Sequence, residues 1–363
     1  MALTIEQPGL LTTVQDQGRI GYYHVGIPQG GAMDQESAQA ANKLVGNTAV
    51  EAVLECTYTG PAFTVDAPTT IAVTGADLPV LVNGEERPSW RRIELAAGDA
   101  VKFGVLRGGA RFYLAVRGGI SVPEVLGSRS TYAIGRLGGL DGRKLEAGDV
   151  VPVGEPTGLL PEVEEIPERL RPGFGRSLEL QIMWGLYDHL LTDEGRRRLV
   201  EEEWKLTPVA DRMGLRFEGP GVEWIRREQP FGAGSDPSNI VDAGYAVGSI
   251  QVPGGTQPIV LHRDAVSGGG YAMVGTVISA DMDLLARAAP GTVTRFRAVS
   301  MEEALQARHE RAERLLTAPR SPPAARPARA APAGPPPWTP RGTGWPCPAR
   351  HERAERLEEI WAL

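Results

Sequence analysis

Apolar positions along most of this chain come in short β-rich runs cut by glycine, proline or asparagine, rather than in long helical stripes. On that basis Ala62–Val65, Thr70–Thr74, Val80–Val82 and Ile93–Leu95 read as strands. Asn83-Gly84 predicts a hairpin, because both residues accept the positive φ of a type I′ turn. Ala100–Leu106 and Arg111–Val116 flank Arg107-Gly108-Gly109-Ala110 and predict a second hairpin. Further strands are predicted at Leu178–Trp184, Gly221–Ile225, Ile250–Val252, Ile259–His262, Ala272–Ile278 and Thr294–Ala298.

Helical spacing is rarer. Asp34 is a good N-cap for a helix Gln35–Val45, and Gly46 is placed to close it in a left-handed turn. Its small apolar face, Ala38, Ala41 and Val45, suits packing flat on a sheet. Thr192 or Asp193 caps a charged helix running to about Glu203, with a thin apolar face at Leu199 and Val200. Ser300 with Glu303 is a capping box, so Met301 to about Leu315 should be helical.

Composition then divides the chain. The 45 glycines and 30 prolines against 42% hydrophobic residues fit a mainly β protein, and 363 residues can support two cores. Residues 1–153 read as one β domain and 174–300 as a second, joined by a linker at 154–173 with prolines and an acidic run. Residues 316–348 are rich in proline, alanine and arginine and read as disordered. ARHERAERL stands at 307–315 and recurs unchanged at 349–357, so 316–357 reads as an insertion within one C-terminal helix, with 349–363 as its short final segment.

The formal charge of −7 excludes a nucleic-acid surface, which needs clustered Lys and Arg. Two cysteines, Cys56 and Cys347, imply no disulfide framework, and the chain reads as cytoplasmic. The N-terminus lacks the basic and apolar regions of a signal peptide, and no apolar run reaches the ~20 residues of a membrane span.

Several clusters could carry chemistry. Asp16 and Arg19 either pair to hold a loop or present opposite charges at its mouth. With Gln15, Asp34 and Asn42 they are more polar groups than a connector requires, although Asp34 is a helix cap first. Gly127-Ser128-Arg129-Ser130-Thr131 is the best anion site by composition: Arg129 offers a planar fork, and Ser128, Ser130 and the amides add donors. It reads equally as a satisfied turn. Asp211 and Arg212, followed by Arg216, either clamp a substrate carboxylate or pin the loop to an interface. In HRDAVSGGGY, Asp264 and Tyr271 are the candidates for a general acid or base, after a strand and beside three glycines. His262 is more readily a packed side chain than a catalyst. There is no G-x-x-x-x-G-K-[ST], no paired histidines at metal spacing, no G-x-S-x-G elbow and no Met-Lys pair for biotinylation.

A longer pattern runs through Thr13–Asn47: TVQDxGRxGxxxxGxPxxGAMDxxSxxxANxLVGN. It resembles the biotin-dependent carboxyltransferase family, which includes the C subunit of 5-oxoprolinase, the second subunit of allophanate hydrolase and the second half of the urea carboxylase carboxyltransferase domain. Four later blocks follow in family order: Thr74–Asp77, Gly118–Ile120 to Gly127–Tyr132, Asp211–Arg216, and Gly248–Pro253 through Gly269-Gly270-Tyr271 to Ser279-Ala280-Asp281. His262, Arg263 and the triple glycine depart from that pattern.

The resemblance implies two cyclophilin-like β-barrel domains with few helices, and it adds Gln251 to the substrate-binding positions. It implies a cytoplasmic hydrolase component, the C subunit of an ATP-dependent 5-oxoprolinase that opens 5-oxoproline to glutamate. The site would be shared with a B subunit, alongside a lactam-utilisation (A) subunit, and the chain would be inactive alone. Two alternatives stay open. One is carboxyl transfer from carboxyl-biotin to urea or a related amide, with biotin carried on another chain. The other is a non-catalytic partner of a sensor-kinase inhibitor that resembles the B subunit.

Overall fold

Alternation along the strands of the first half sorts side chains onto two faces. Leu54, Cys56, Ile71, Val73, Phe112, Leu114 and Val116 enter one core with Leu3, Ile5, Phe63 and Val65. Their neighbours Val53, Ala72, Tyr113 and Ala115 face the other way, into a smaller cluster with Ala38, Ala41, Leu44 and Val45 of the helix Gln35–Leu44. The computed structural model that shows this describes residues 1–317. The predicted insertion and the 349–363 segment lie outside the described residues.

One sheet of the first half has six strands, in the order Val150–Pro152, Ala2–Gln7, Ala62–Val65, Ala100–Phe103, Val80–Val82 and Glu85–Arg87. The other has five: Leu11–Gln15, Val53–Thr57, Gly108–Val116, Thr69–Asp77 and Arg92–Leu95. All pairings within them are antiparallel. The Asn83-Gly84 turn forms as expected, with φ of 52° and 87° between paired Val82 and Glu85. The second predicted hairpin does not. Both edges of Ala100–Phe103 are occupied, by Ala62–Val65 and Val80–Val82. The chain therefore crosses at 104–107 to the other sheet, where Gly108 pairs with Asp77.

Residues 154–173 contribute no strand to these sheets. They lie along the first half, with Ile166 N–H donating to Trp90 C=O at 3.0 Å and its side chain buried beside Trp90.

In the second half seven strands close into a barrel: Ser177–Trp184, Met273–Val277, Ser249–Gln251, Ile259–Leu261, Gly214–Glu218, Trp204–Ala210 and Val293–Ala298. The last pairs in parallel with the first. Leu180, Trp204, Phe217, Val260 and Phe296 fill the interior. The strand predicted at Gly221–Ile225 is absent. Pro220 and Gly221 (φ +79°) bend the chain, and Trp224 makes only an isolated bridge to Leu191. Trp204–Ala210 is a strand that contains Pro208, accommodated by a register shift between Leu206 and Ala210. A separate two-stranded ribbon pairs Asn239–Gly244 with Gly268–Tyr271.

The expected helix caps form: Asp34 accepts from Ser37 N–H, Thr192 from Gly195 N–H, and Ser300 and Glu303 bond each other's amides at 2.7 and 3.2 Å. No described helix is long and apolar enough to cross a membrane. The protein is mainly β, with barrel-like sheets and few helices.

Candidate functional site at the junction of the two halves

Glu55 stands in the strand Val53–Thr57, all five residues of which are buried. A carboxylate there needs partners, because burial without them is costly. It has three: Tyr113 Oη donates at 2.9 Å, Met33 N–H at 2.7 Å, and Arg212 Nη1 at 2.6 Å from the second half. Arg212 spends its whole fork in this way. Nε and Nη2 bond Asp264 at 2.8 and 2.9 Å, and Nη2 also reaches Gly31 C=O at 2.8 Å and Gln15 Oε1 at 3.3 Å. Burial alone would lower the Arg212 guanidinium, but Asp264 and Glu55 outweigh it and hold it above its usual value. Of the two readings of Asp211–Arg216, this geometry is that of the pin.

The loop Gly127–Thr131 does gather donors around a carboxylate, and that carboxylate is Asp16. Ser128 Oγ and Ser130 Oγ donate to Oδ1 at 2.7 and 2.5 Å, Gly18 N–H at 2.7 Å, and Arg129 N–H donates to Oδ2 at 2.6 Å. Arg129 presents its backbone here. Its guanidinium turns outward, with Nε on Val122 C=O at 3.0 Å and Nη1 beside Glu124 at 3.1 Å. Composition identified the donors; the fork expected to receive an outside anion is committed elsewhere.

Arg19, 1% exposed, forms no ion pair with Asp16 among the described residues. Its Nη2 donates to Ser130 C=O, while Nε and Nη1 have no hydrogen-bond partner. Burial pulls this guanidinium below its usual value; Asp16 and Asp264 work against that, and Arg212 adds to it. A Cβ on Gly30 (φ +63°) would lie 3.1 Å from Arg19 Nη1 and 3.9 Å from Asp264 Oδ1, so glycine keeps the space between them open. Burial raises the phenols of Tyr23 and Tyr132; Arg263 opposes this at Tyr23, and the nearby Asp264 adds to it at both. A guanidinium with free N–H groups, an anchored carboxylate and two neutral phenols thus meet where the halves join. That set can bind an anion or a developing oxyanion and hold a proton beside it.

Other candidates lie apart. Asn42 is buried and satisfied within its own loop, donating to Glu51 C=O at 2.8 Å and accepting from Asn47 at 3.0 Å. Asp34 caps its helix and receives Arg287 Nε and Nη2 at 2.7 and 3.0 Å. Glu36 and Asp283 lie close to it, and Arg287 and Arg311 meet their charge. Asp211 turns its carboxylate onto the amides of Met213 and Gly214, and Gln251 and the 43% exposed Tyr271 share a separate cavity with it. Sequence reading missed Glu55, Tyr113, Tyr23, Tyr132 and Arg287. An acid in the middle of an apolar strand and an arginine in LLARAA were the available signals.

His262 is fully buried. Its Nδ1 accepts from Arg263 N–H at 3.0 Å, so Nε2 carries the proton and faces Met282 C=O at 3.4 Å. Burial, with Arg263 and Arg111 close by, pushes its pKa well down. The unfolded chain takes up this proton near pH ~6.5 and the folded one does not, so stability falls as pH drops below that value. From this group the slope is at most about 1.4 kcal/mol per pH unit. Urea denaturation from about pH 8 to about pH 5 should show a shallower loss for His262→Gln than for the wild type; equal slopes would remove His262 from the account.

The family model for the carboxyltransferase domain, subdomains A and B, matches residues 25–298. Urea amidolyase of Saccharomyces cerevisiae is 34% identical over 316 residues, 83% of this chain and 17% of that protein. The C subunit of Escherichia coli 5-oxoprolinase is 33% identical over 308 residues, 85% of this chain and 94% of that protein. The crystal structure of the K. lactis urea amidolyase aligns with a TM-score of 0.81 at 33% identity, over 86% of this chain and 20% of that one. This chain therefore spans only a small part of urea amidolyase. The match runs through both halves and takes in the Gly30-Gly31 loop, the serine loop around Asp16, Arg212 and Asp264, and so the chain belongs to the carboxyltransferase-domain family, subdomains A and B.

Proposed function

We propose that the chain is the C subunit of an ATP-dependent 5-oxoprolinase, which opens the lactam of 5-oxoproline to glutamate. Its site would be shared with a separate B subunit and supplied by a lactam-utilisation (A) subunit. The observation that carries this is the pair of unpartnered Arg19 N–H groups beside Asp264 at the junction of the halves. A lactam carbonyl is unreactive until its oxygen is stabilised as an anion. ATP supplies that activation by phosphorylating the oxygen. Arg19 Nε and Nη1 fit such an oxyanion or a phosphate oxygen, and Asp264, oriented by the Arg212 fork, holds the proton of the attacking water. The near full-length correspondence with the bacterial 5-oxoprolinase component supports this choice of substrate.

A second reading is carboxyl transfer to urea or a related amide, favoured by the 34% identity to urea amidolyase. There the same Arg19 groups would receive the carboxylate delivered on biotin. The deciding assay is ATP- and 5-oxoproline-dependent glutamate release with this chain alone, with the B subunit added, and with both partners present. Release is expected only from the assembled protein. Turnover by the single chain would refute the shared site. A stable complex that ignores 5-oxoproline but consumes urea with carboxyl-biotin would establish the second reading instead.

A further inference from the structure

Asp264 N–H donates to Arg212 C=O at 2.8 Å, and His262 N–H to Met213 C=O at 2.9 Å, so these two segments run side by side. Their side chains leave in opposite directions. Arg212 and Asp264 enter the junction described above, while Met213 and Ala265 line a cavity of about 380 Å³ behind it. Ile259 and Leu261 complete apolar walls, and Val209, Val266 and Tyr271 stand at its exposed mouth. The size is that of a small-molecule site.

Two polar groups in this cavity lack partners. Gln251 is 6% exposed, and its carboxamide forms no hydrogen bond with a described residue. Arg216 Nη1 reaches Gln257 Oε1 at 3.2 Å, but its buried Nε is unpartnered. Leaving a buried amide and a guanidinium N–H unsatisfied costs stability, so a group that satisfies both is the natural complement.

We propose that this cavity is a second small-molecule site, separate from the Arg19 junction, that takes a compact ring amide or ureide. The Gln251 carboxamide presents one donor and one acceptor on a single edge. A cis-amide in a small ring does the same, so the two pair through both bonds, whereas an open-chain trans amide cannot. The apolar walls receive the ring methylenes, and Arg216 Nε donates to an anionic substituent. The cavity and its polar groups carry this inference without the 5-oxoprolinase reading, because the test measures binding and not turnover.

Binding to the full chain is measured by ligand-observed saturation transfer, together with the side-chain amide signal of Gln251. Three probes are compared: 2-pyrrolidinone, γ-butyrolactone (the same ring without N–H) and 5-oxoproline. The lactam should bind and shift the Gln251 signal, with the lactone at least about tenfold weaker and 5-oxoproline about tenfold tighter. Gln251→Leu should erase the lactam–lactone difference, and Arg216→Gln only the gain from the carboxylate. Should Gln251→Leu not fold, Gln251→Glu keeps the shape, removes the donor and should give the same loss. Equal binding of lactam and lactone to the wild type, or lactam binding unchanged in the Gln251 variants, would overturn the site.

Discussion

Arg212→Ala is expected to destabilise the protein by about 3–5 kcal/mol, the range for removing one partner of a buried ion pair. The substitution strips Asp264 of both guanidinium bonds and Glu55 of one, and both carboxylates are almost fully buried. It also leaves Gly31 C=O without its donor, so the glycine loop loses its tie to the second half. Glu55 retains Tyr113 and Met33, which makes Asp264 the more exposed casualty. Arg212→Lys keeps the charge without the planar fork and should fall between wild type and alanine. Urea denaturation at neutral pH measures all three. A cost below about 1 kcal/mol for alanine would mean that the halves are held by apolar contact, with this network incidental.

What the sequence made legible follows from the range of each interaction. The helix Gln35–Leu44 could be read because its cap, its apolar face and Gly46 lie within a few residues of one another. The Asn83-Gly84 turn and the Ser300–Glu303 box are equally local. Trp204–Ala210 was hidden by Pro208, and Gly268–Tyr271 by three glycines with no side-chain pattern to alternate. For the serine loop, composition showed a set of anion donors correctly. Which anion they hold depended on Asp16, more than a hundred residues away. Glu55 was missed for a related reason. An acid at one position of a strand looks like a solvent-facing residue until the second half docks and brings Arg212 to it.

Arg19→Gln should lower turnover of the assembled enzyme by ~10²-fold or more, as for the loss of an oxyanion donor, while stability stays within about 1 kcal/mol of wild type. These two outcomes rarely go together for a residue only 1% exposed. They do here because Arg19 is poorly used by the fold. One nitrogen bonds Ser130 C=O, two have no partner, and burial already disfavours the charge. Glutamine keeps a donor for Ser130 and removes the buried cation, so the folded chain loses little. The substrate's developing charge loses both free N–H groups, so the decrease should appear in kcat and kcat/KM together with little change in KM. Arg19→Lys separates charge from geometry and should recover part of the rate without the fork. If Arg19→Gln instead costs more than about 2 kcal/mol and active protein tracks folded protein, then Arg19 holds the glycine loop, and the oxyanion must be received by a group on the companion protein.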